Sequence, residues 1–268
     1  DKILHFISIE ANPLTARDWR KVTALRPHSP TAQALAESPL PLLTGWHRRS
    51  IHQGRVQLSV FHGDVEDGLR DLADFQQQPV DAWFLDGFTP TKNPLMWQAS
   101  VLSGVARLSR RGTTVATFTS AGQIRRDLAE RGFAMTKVDQ RPFKRASLLG
   151  ECVREDTPND LPLTPPRRIN VLGAGIAGAS VARQLAELGL RVTVYDASGV
   201  ASGGSKMSVS ALHARLLGDE SPAAEFRARA FHHAQSVHQT YKAFRRTGAL
   251  QLALNDQALN KLQRIQAV

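Results

Sequence analysis

The chain has 268 residues, enough for one large domain or two modest ones that each bury a core. Lys and Arg number 34 against 24 Asp and Glu, and the resulting formal charge of +10 favours polyanionic partners, nucleic acid first. A single cysteine, Cys152, excludes an intrachain disulfide framework and suits a reducing cytosol. The sequence has neither a signal-peptide pattern nor an apolar run of the roughly 18 residues that a membrane span needs. We therefore expect a cytoplasmic protein that does not enter membranes.

Short apolar runs alternate with helical patterns over the first half of the chain. Strands are predicted at 3–9, 55–61, 80–86 and 113–119, and helices at 14–25, 31–38, 65–74, 94–108 and 121–131. Residues 134–153 have the pattern of a closing hairpin. The alternation predicts an α/β domain with a parallel sheet and helices on both faces.

A proline-rich segment, REDTPNDLPLTPPRR, follows at 154–168 and holds four of the 14 prolines. Such spacing favours an extended linker with almost nothing to build a core. We therefore place one domain at 1–153, a linker at 154–166 and a second domain at 167–268.

The second domain begins with a strand, a glycine turn, a helix and a second strand. A long helix is predicted from Ser221-Pro222, a good N-cap followed by a proline, to Gly248. Residues 249–254 alternate like a half-buried strand, and the last residues again have a helical pattern. The sequence begins directly with a predicted strand and without an initiator Met, and it ends inside a helical pattern without a cap, so we expect the chain to be part of a larger protein.

The glycine turn has the spacing of a dinucleotide-binding fingerprint. Gly173 permits the tight turn, Gly175 lets the backbone approach a pyrophosphate, and Gly178 lets helix and strand pack closely. Asp196 ends the second strand, where its carboxylate can accept hydrogen bonds from ribose hydroxyls and disfavours the 2′-phosphate of NADP. The small residues after Asp196 resemble those of flavin-dependent amine and amino-acid oxidases, which favours FAD over NAD.

Three acids lie at the carboxyl ends of predicted strands in the first domain. They are Glu10, Asp64 and Asp86. Because ligands bind outside the carboxyl ends of parallel strands, these acids are candidates to line one crevice. The alternative is that each forms a turn or caps a helix.

The segments DAWFLDGFTPTKNPLMW (81–97) and ATFTSAGQIRRDLAERGF (116–133), with the fingerprint downstream, resemble the MnmC family of bifunctional tRNA modification proteins. The resemblance implies two Rossmann-like domains, a methyltransferase dependent on S-adenosylmethionine (SAM) and the first part of an FAD-dependent oxidoreductase. It implies oxidation of a carboxymethylaminomethyl uridine with loss of glyoxylate, then methylation of the freed amine. Glu10 would bind the SAM ribose, Asp64 the adenine side, and Asp86 would meet the amine. The strand and glycine-rich loop that grip SAM in this family are expected to precede residue 1.

Further residues are candidates for contacts with the tRNA anticodon stem-loop. Phe88 and Trp97 are aromatic candidates for stacking on a flipped base, with core packing as the alternative for both, and Asn93 shapes the loop behind Asp86. Lys144 and Arg145 are candidate phosphate contacts, along with the arginines at 125, 126, 141, 167 and 168. The histidines at 232, 233 and 238 lack ligand spacing, so we expect no metal, and we expect a monomer. A free-standing flavin amine oxidase and a non-catalytic tRNA-binding protein remain as alternatives.

Overall fold

The structure is a computed structural model that describes residues 3–75, 79–87, 90–142, 144–155, 168–214, 219 and 221–267. The chain forms two compact units. The first comprises Asp1–Ser8, Asn12–His62 and Pro166–Val268, and the second comprises Ile9–Ala11 and Gly63–Pro165. The predicted linker at 154–166 lies outside the described residues except for positions 154 and 155, so the domain boundary stays a prediction.

Three strands and two helices lie in the N-terminal part of the chain: β1 (Leu4–Glu10), α1 (Ala16–Leu25), α2 (Pro30–Glu37), β2 (Gly45–Ile51) and β3 (Val56–His62). They belong to the first unit, except for Ile9 and Glu10 at the end of β1, which belong to the second. The sheet order is β1–β3–β2, and β2 pairs with β3 as an antiparallel hairpin. Both helices begin at hydroxyl N-caps, Thr15 and Ser29, whose oxygens accept hydrogen bonds from backbone amides of the first turn.

Strand β2 was not predicted from the sequence. Its segment GWHRRSI contains two arginines and a histidine, so it lacks the apolar alternation that marks a strand. The hairpin partner compensates, because β3 supplies a full ladder of pairs from Gly45↔His62 to Ile51↔Val56.

The second unit contains α3 (Val65–Phe75), β4 (Val80–Leu85), α4 (Ala99–Arg107), β5 (Ser109–Thr117), α5 (Gly122–Glu130), β6 (Phe133–Gln140) and β7 (Lys144–Cys152). The sheet order is β4–β5–β7–β6. Strands β4 and β5 are parallel, and the predicted closing hairpin is confirmed as antiparallel β6–β7. The core includes Leu102, Leu128, Phe133 and Leu148, each at most 2% exposed.

The predicted helix at 94–108 is interrupted. A short 3-10 turn at Leu95–Trp97 precedes α4, and Gln98 between them has an extended backbone with ψ of 159°. The Gln98 side chain donates from Nε2 to Glu66 Oε1 at 2.9 Å, which ties this break to the first turn of α3.

The C-terminal part of the first unit contains β8 (Arg168–Leu172), α6 (Ile176–Glu187), β9 (Arg191–Tyr195), α7 (Pro222–His238) and α8 (Asp256–Ala267). Strands β8 and β9 are parallel, as the fingerprint requires. Ser221 caps α7 and Pro222 is its first residue, as predicted.

Two predictions in this region were wrong. Helix α7 ends at His238 rather than at Gly248, and Tyr241 instead lies against Arg183 of α6, whose guanidinium carbon is 4.8 Å from the ring centroid. Residues 249–254 form no strand, and their leucines are largely exposed. Alternation alone cannot form a strand, because a strand needs a neighbour to which it can hydrogen-bond.

Candidate functional site

The glycine loop between β8 and α6 leaves no room for side chains where helix and strand meet. A Cβ added to Gly178 would lie 1.8 Å from the carbonyl oxygen of Gly173. Gly173 has φ of +100°, a conformation that favours glycine, and its amide donates to Tyr195 O of β9 at 2.7 Å. The predicted roles of the first and third glycines in turning and close packing therefore match the geometry.

Asp196 holds the glycine loop through backbone hydrogen bonds. Its Oδ2 accepts from Ala174 N at 2.8 Å and its Oδ1 accepts from Ser198 N at 2.9 Å. The bonds from Ala174 and then from Ser198 lower the pKa of Asp196 below its ordinary value, so the carboxylate is charged at neutral pH. An ionised carboxylate has further lone pairs, so these bonds leave it able to accept from ribose hydroxyls as well.

The N-terminus of α6 is covered by the Ser205 hydroxyl and not by a side chain of its own N-cap residue. Gly175 is the N-cap residue and supplies no side-chain cap, while the amide of Ile176 donates to Ser205 Oγ at 3.0 Å. Backbone amides and the helix dipole at such a terminus attract phosphate oxygens. The residues present therefore fit the pyrophosphate of FAD. Sequence reasoning missed Ser205, although the small-residue segment after Asp196 pointed to this region.

Glu10 and Asp64 lie at the ends of neighbouring strands, as predicted. The amide of Gly63 donates to Glu10 O at 3.1 Å, which joins the end of β1 to the end of β3. Asp64 also acts as a helix cap, since its Oδ1 accepts from Glu66 N at 2.8 Å at the start of α3. The structure thus confirms the capping interpretation of Asp64, and its role in binding SAM stays a prediction.

Asp86 follows β4, which belongs to a different sheet from β1 and β3. Its side chain is exposed and its amide donates to Phe84 O at 3.1 Å. The structure therefore brings Glu10 and Asp64 to one sheet edge and places Asp86 at the end of a strand in the other sheet.

The loop after Asp86 is only partly described. Phe88 lies outside the described residues, and Asn93 is half-buried before the 3-10 turn. Trp97 is 5% exposed and packs on Gly87, where an added Cβ would lie 3.0 Å from the indole. Trp97 is therefore a core residue, which confirms the core interpretation and removes it as a stacking platform.

The predicted phosphate contacts near the β6–β7 hairpin differ in their surroundings. Lys144 is the first residue of β7, and Arg145 beside it is exposed. Arg141 forms an ion pair with Asp139, in which Nε and Nη2 donate to Oδ2 at 2.9 and 2.5 Å, and this hydrogen bonding lowers the pKa of that carboxyl. Arg141 is thereby partly neutralised and is a weaker candidate for a phosphate contact than Arg145.

None of the helices in the described part of the chain combines the length and the apolar character needed to cross a membrane. The same residues contain no group of three or more His, Cys, Asp or Glu side chains arranged to hold a metal ion.

Two protein-family models match the chain. Residues 27–152 match a family of S-adenosyl-L-methionine-dependent methyltransferases, and residues 168–268 match FAD-dependent oxidoreductases. The chain is 39% identical over 267 residues to the tRNA 5-methylaminomethyl-2-thiouridine biosynthesis bifunctional protein MnmC of Marinobacter nauticus. The chain is thus similar to an MnmC protein over nearly its whole length. The MnmC protein of Aeromonas salmonicida is 37% identical over 278 residues.

These matches cover 98% of the chain but only 41% and 42% of the two MnmC relatives, so the chain spans about two fifths of their length. A crystal structure of MNMC2 from Aquifex aeolicus is 17% identical, with a TM-score of 0.41 over 60% of this chain and 58% of that one. The family matches confirm the expected α/β class with two Rossmann-like domains and identify SAM and FAD as the cofactors. A match to a methyltransferase family over 27–152 also disfavours a free-standing amine oxidase.

Proposed function

We propose that this protein modifies the wobble uridine of tRNA in two steps. The first removes the carboxymethyl group of 5-carboxymethylaminomethyl-(2-thio)uridine by oxidation of its carbon–nitrogen bond to an imine and hydrolysis to glyoxylate and a free amine. The second methylates that amine to give 5-methylaminomethyl-(2-thio)uridine. When bound, FAD accepts the two electrons of the first step and SAM donates the methyl group of the second.

One observation carries the proposal. A glycine loop that fits a dinucleotide pyrophosphate, Gly173 to Gly178, lies on the same chain as the methyltransferase match at 27–152. The names of the MnmC relatives support the combination, because they describe a bifunctional protein of this biosynthesis. We place the methyltransferase domain at 1–153, the linker at 154–166 and the flavoprotein domain at 167–268. The family matches at 27–152 and 168–268 support a division between residues 152 and 168.

The residues of the chain receive the following roles in this proposal. Gly173, Gly175 and Gly178 admit the FAD pyrophosphate, and Asp196 accepts from its ribose while it holds the loop. Glu10 and Asp64 contact the ribose and adenine sides of SAM. The substrate contacts are Phe88, Asn93, Lys144 and Arg145. We propose that the protein acts in the cytoplasm as a monomer.

Asp86 is the proposed catalytic residue of methyl transfer. A primary amine attacks only when neutral and aligned behind the sulfonium methyl, so a carboxylate that orients the nitrogen and accepts its proton accelerates the step. Such proton transfer contributes about 10²–10⁴-fold to a rate. The exposed position of Asp86 after β4 leaves its carboxylate accessible to the aminomethyl group of an incoming uridine.

The test compares Asp86→Asn with Asp81→Asn in the full-length protein. Asp81 lies on β4, the strand that Asp86 follows, and its side chain is 84% exposed with an ion pair to Arg110, so its substitution is a matched control. We expect Asp86→Asn to slow methylation of tRNA that carries 5-aminomethyluridine by about 10²–10⁴-fold, with unchanged flavin content and unchanged removal of the carboxymethyl group. Equal methylation rates for the two variants would remove Asp86 from the mechanism.

A further inference from the structure

A cleft of ≈ 520 Å³ lies within the first unit, between the β2–β3 hairpin and helices α6 and α7. Its walls carry four arginines, at positions 48, 49, 55 and 183. Among the described residues that line it, the only acid is Glu187, which pairs with Arg183 at 2.7 Å between Oε1 and Nε. Three arginines therefore remain as an excess of positive charge.

These three arginines have no acidic partner among the residues that the structure describes. Arg48 donates from Nε to Ser59 Oγ at 3.3 Å, and Arg49 donates from Nη1 to Arg48 O at 3.0 Å. The Nε of Arg49 is buried and has no hydrogen-bond partner within the described part of the chain. A buried charged donor without an acceptor is unfavourable, so the cleft is suited to an anion that supplies one.

Two histidines near the arginines have pKa values below the ordinary value. Burial and then the charge of Arg49 lower the pKa of His232 and of His233 below their ordinary value. Both histidines are on α7, and His233 lines the cleft. The positive charge of the cleft therefore comes from the arginines at neutral pH, and it does not require protonation of the histidines.

We propose that this cleft binds backbone phosphates of the RNA substrate. Guanidinium groups match phosphate oxygens through paired N–H donors, and here Arg48, Arg49 and Arg55 line one cleft. Arg48 and Arg49 lie on β2, while Arg55 lies in the turn that leads into β3. Several guanidinium groups in one cleft can neutralise several phosphates of an RNA strand. The inference rests on the proposed tRNA substrate and adds a contact surface to Lys144 and Arg145.

The test measures binding of a fluorescently labelled anticodon stem-loop RNA to the full-length protein over a series of KCl concentrations. The cleft variant is Arg48→Gln/Arg55→Gln, because both side chains are exposed and their loss should leave the fold intact. The control is Arg20→Gln/Arg26→Gln, which makes the same charge change at exposed positions of α1 and just after it. Thermal unfolding of each variant verifies that it is folded.

We expect the cleft variant to bind RNA more weakly than the control and to show a smaller salt dependence. Each lost phosphate contact should reduce the slope of log K against log[KCl] by about 0.7–0.9, hence by about 1.4–1.8 for two contacts. A slope and a Kd equal to those of the control would overturn the cleft assignment while leaving the proposed function intact. Absence of RNA binding by the wild-type protein would overturn both.

Discussion

Substitution of Gly178 by alanine tests the cofactor loop at its tightest point. The new Cβ would lie 1.8 Å from Gly173 O and 2.9 Å from Gly173 C, whereas ordinary contact begins at 3.4 Å. The helix must therefore withdraw from the strand by about 1.6 Å, and backbone atoms on both sides prevent an easy rearrangement. That shift also moves the amides at the start of α6 away from the pyrophosphate position.

The expected magnitude follows from overpacking. Forcing one methyl group into a filled site destabilises a folded protein by about 1–3 kcal/mol. If the whole of that free energy is lost from cofactor binding, the FAD affinity falls by about 5- to 150-fold. Flavin fluorescence during titration of the full-length apoprotein measures the affinity, and urea unfolding of the same protein measures any part that appears as lost stability.

Gly203→Ala is the matched control, because nothing lies within 4 Å of a Cβ added at Gly203. It adds the same methyl group within the small-residue segment after Asp196, so its FAD affinity and stability should be unchanged. The reasoning would be refuted if Gly178→Ala bound FAD as tightly as Gly203→Ala and unfolded at the same urea concentration.

Three further results are expected. Asp196→Ala removes the acceptor of the Ala174 and Ser198 amides, so FAD titration should show weaker binding than in wild type, and unchanged affinity would contradict the loop-holding role. Burial, followed by the charges of His62, Arg49 and Arg229, lowers the pKa of His47 below 6.5, so the unfolded chain takes up a proton at a higher pH than the folded chain. The stability present above pH 6.5 should therefore fall as the pH drops toward the folded pKa. In urea unfolding between pH 7.5 and 5, His47→Gln should lose less stability than wild type, and equal losses would exclude His47 as a source of the pH dependence. Leu102→Ala should lower the free energy of unfolding by about 2–5 kcal/mol, because Leu102 is 0% exposed. Leu95 is 60% exposed, so Leu95→Ala should change the free energy of unfolding by less than about 0.5 kcal/mol. Equal effects of the two substitutions in urea unfolding would contradict the assigned core.

The features that could be predicted from the sequence are those that short segments determine. The order β8, glycine turn, α6, β9 follows from local spacing, because each glycine is required by the backbone geometry of residues only a few positions away. The N-cap at Ser221 is equally local, since the capping oxygen and the amide it accepts from are three residues apart.

What could not be predicted depends on contacts between distant segments. Strand β2 exists because β3 pairs with it, and α7 stops early where Tyr241 meets Arg183. Gln98 interrupts the predicted helix through a contact with Glu66, 32 residues earlier in the chain. Ser205 reaches the start of α6 only because the segment after Asp196 folds back, which periodicity does not reveal.

The central claim is that one protein performs both steps on the wobble uridine. The most direct measurement is mass analysis of tRNA nucleosides from cells in which the gene is deleted, with the intact gene restored on a plasmid as control. We expect carboxymethylaminomethyl uridines to accumulate on deletion, the methylaminomethyl form to disappear, and the plasmid to reverse both changes. Wobble uridines that are the same with and without the gene would contradict the claim.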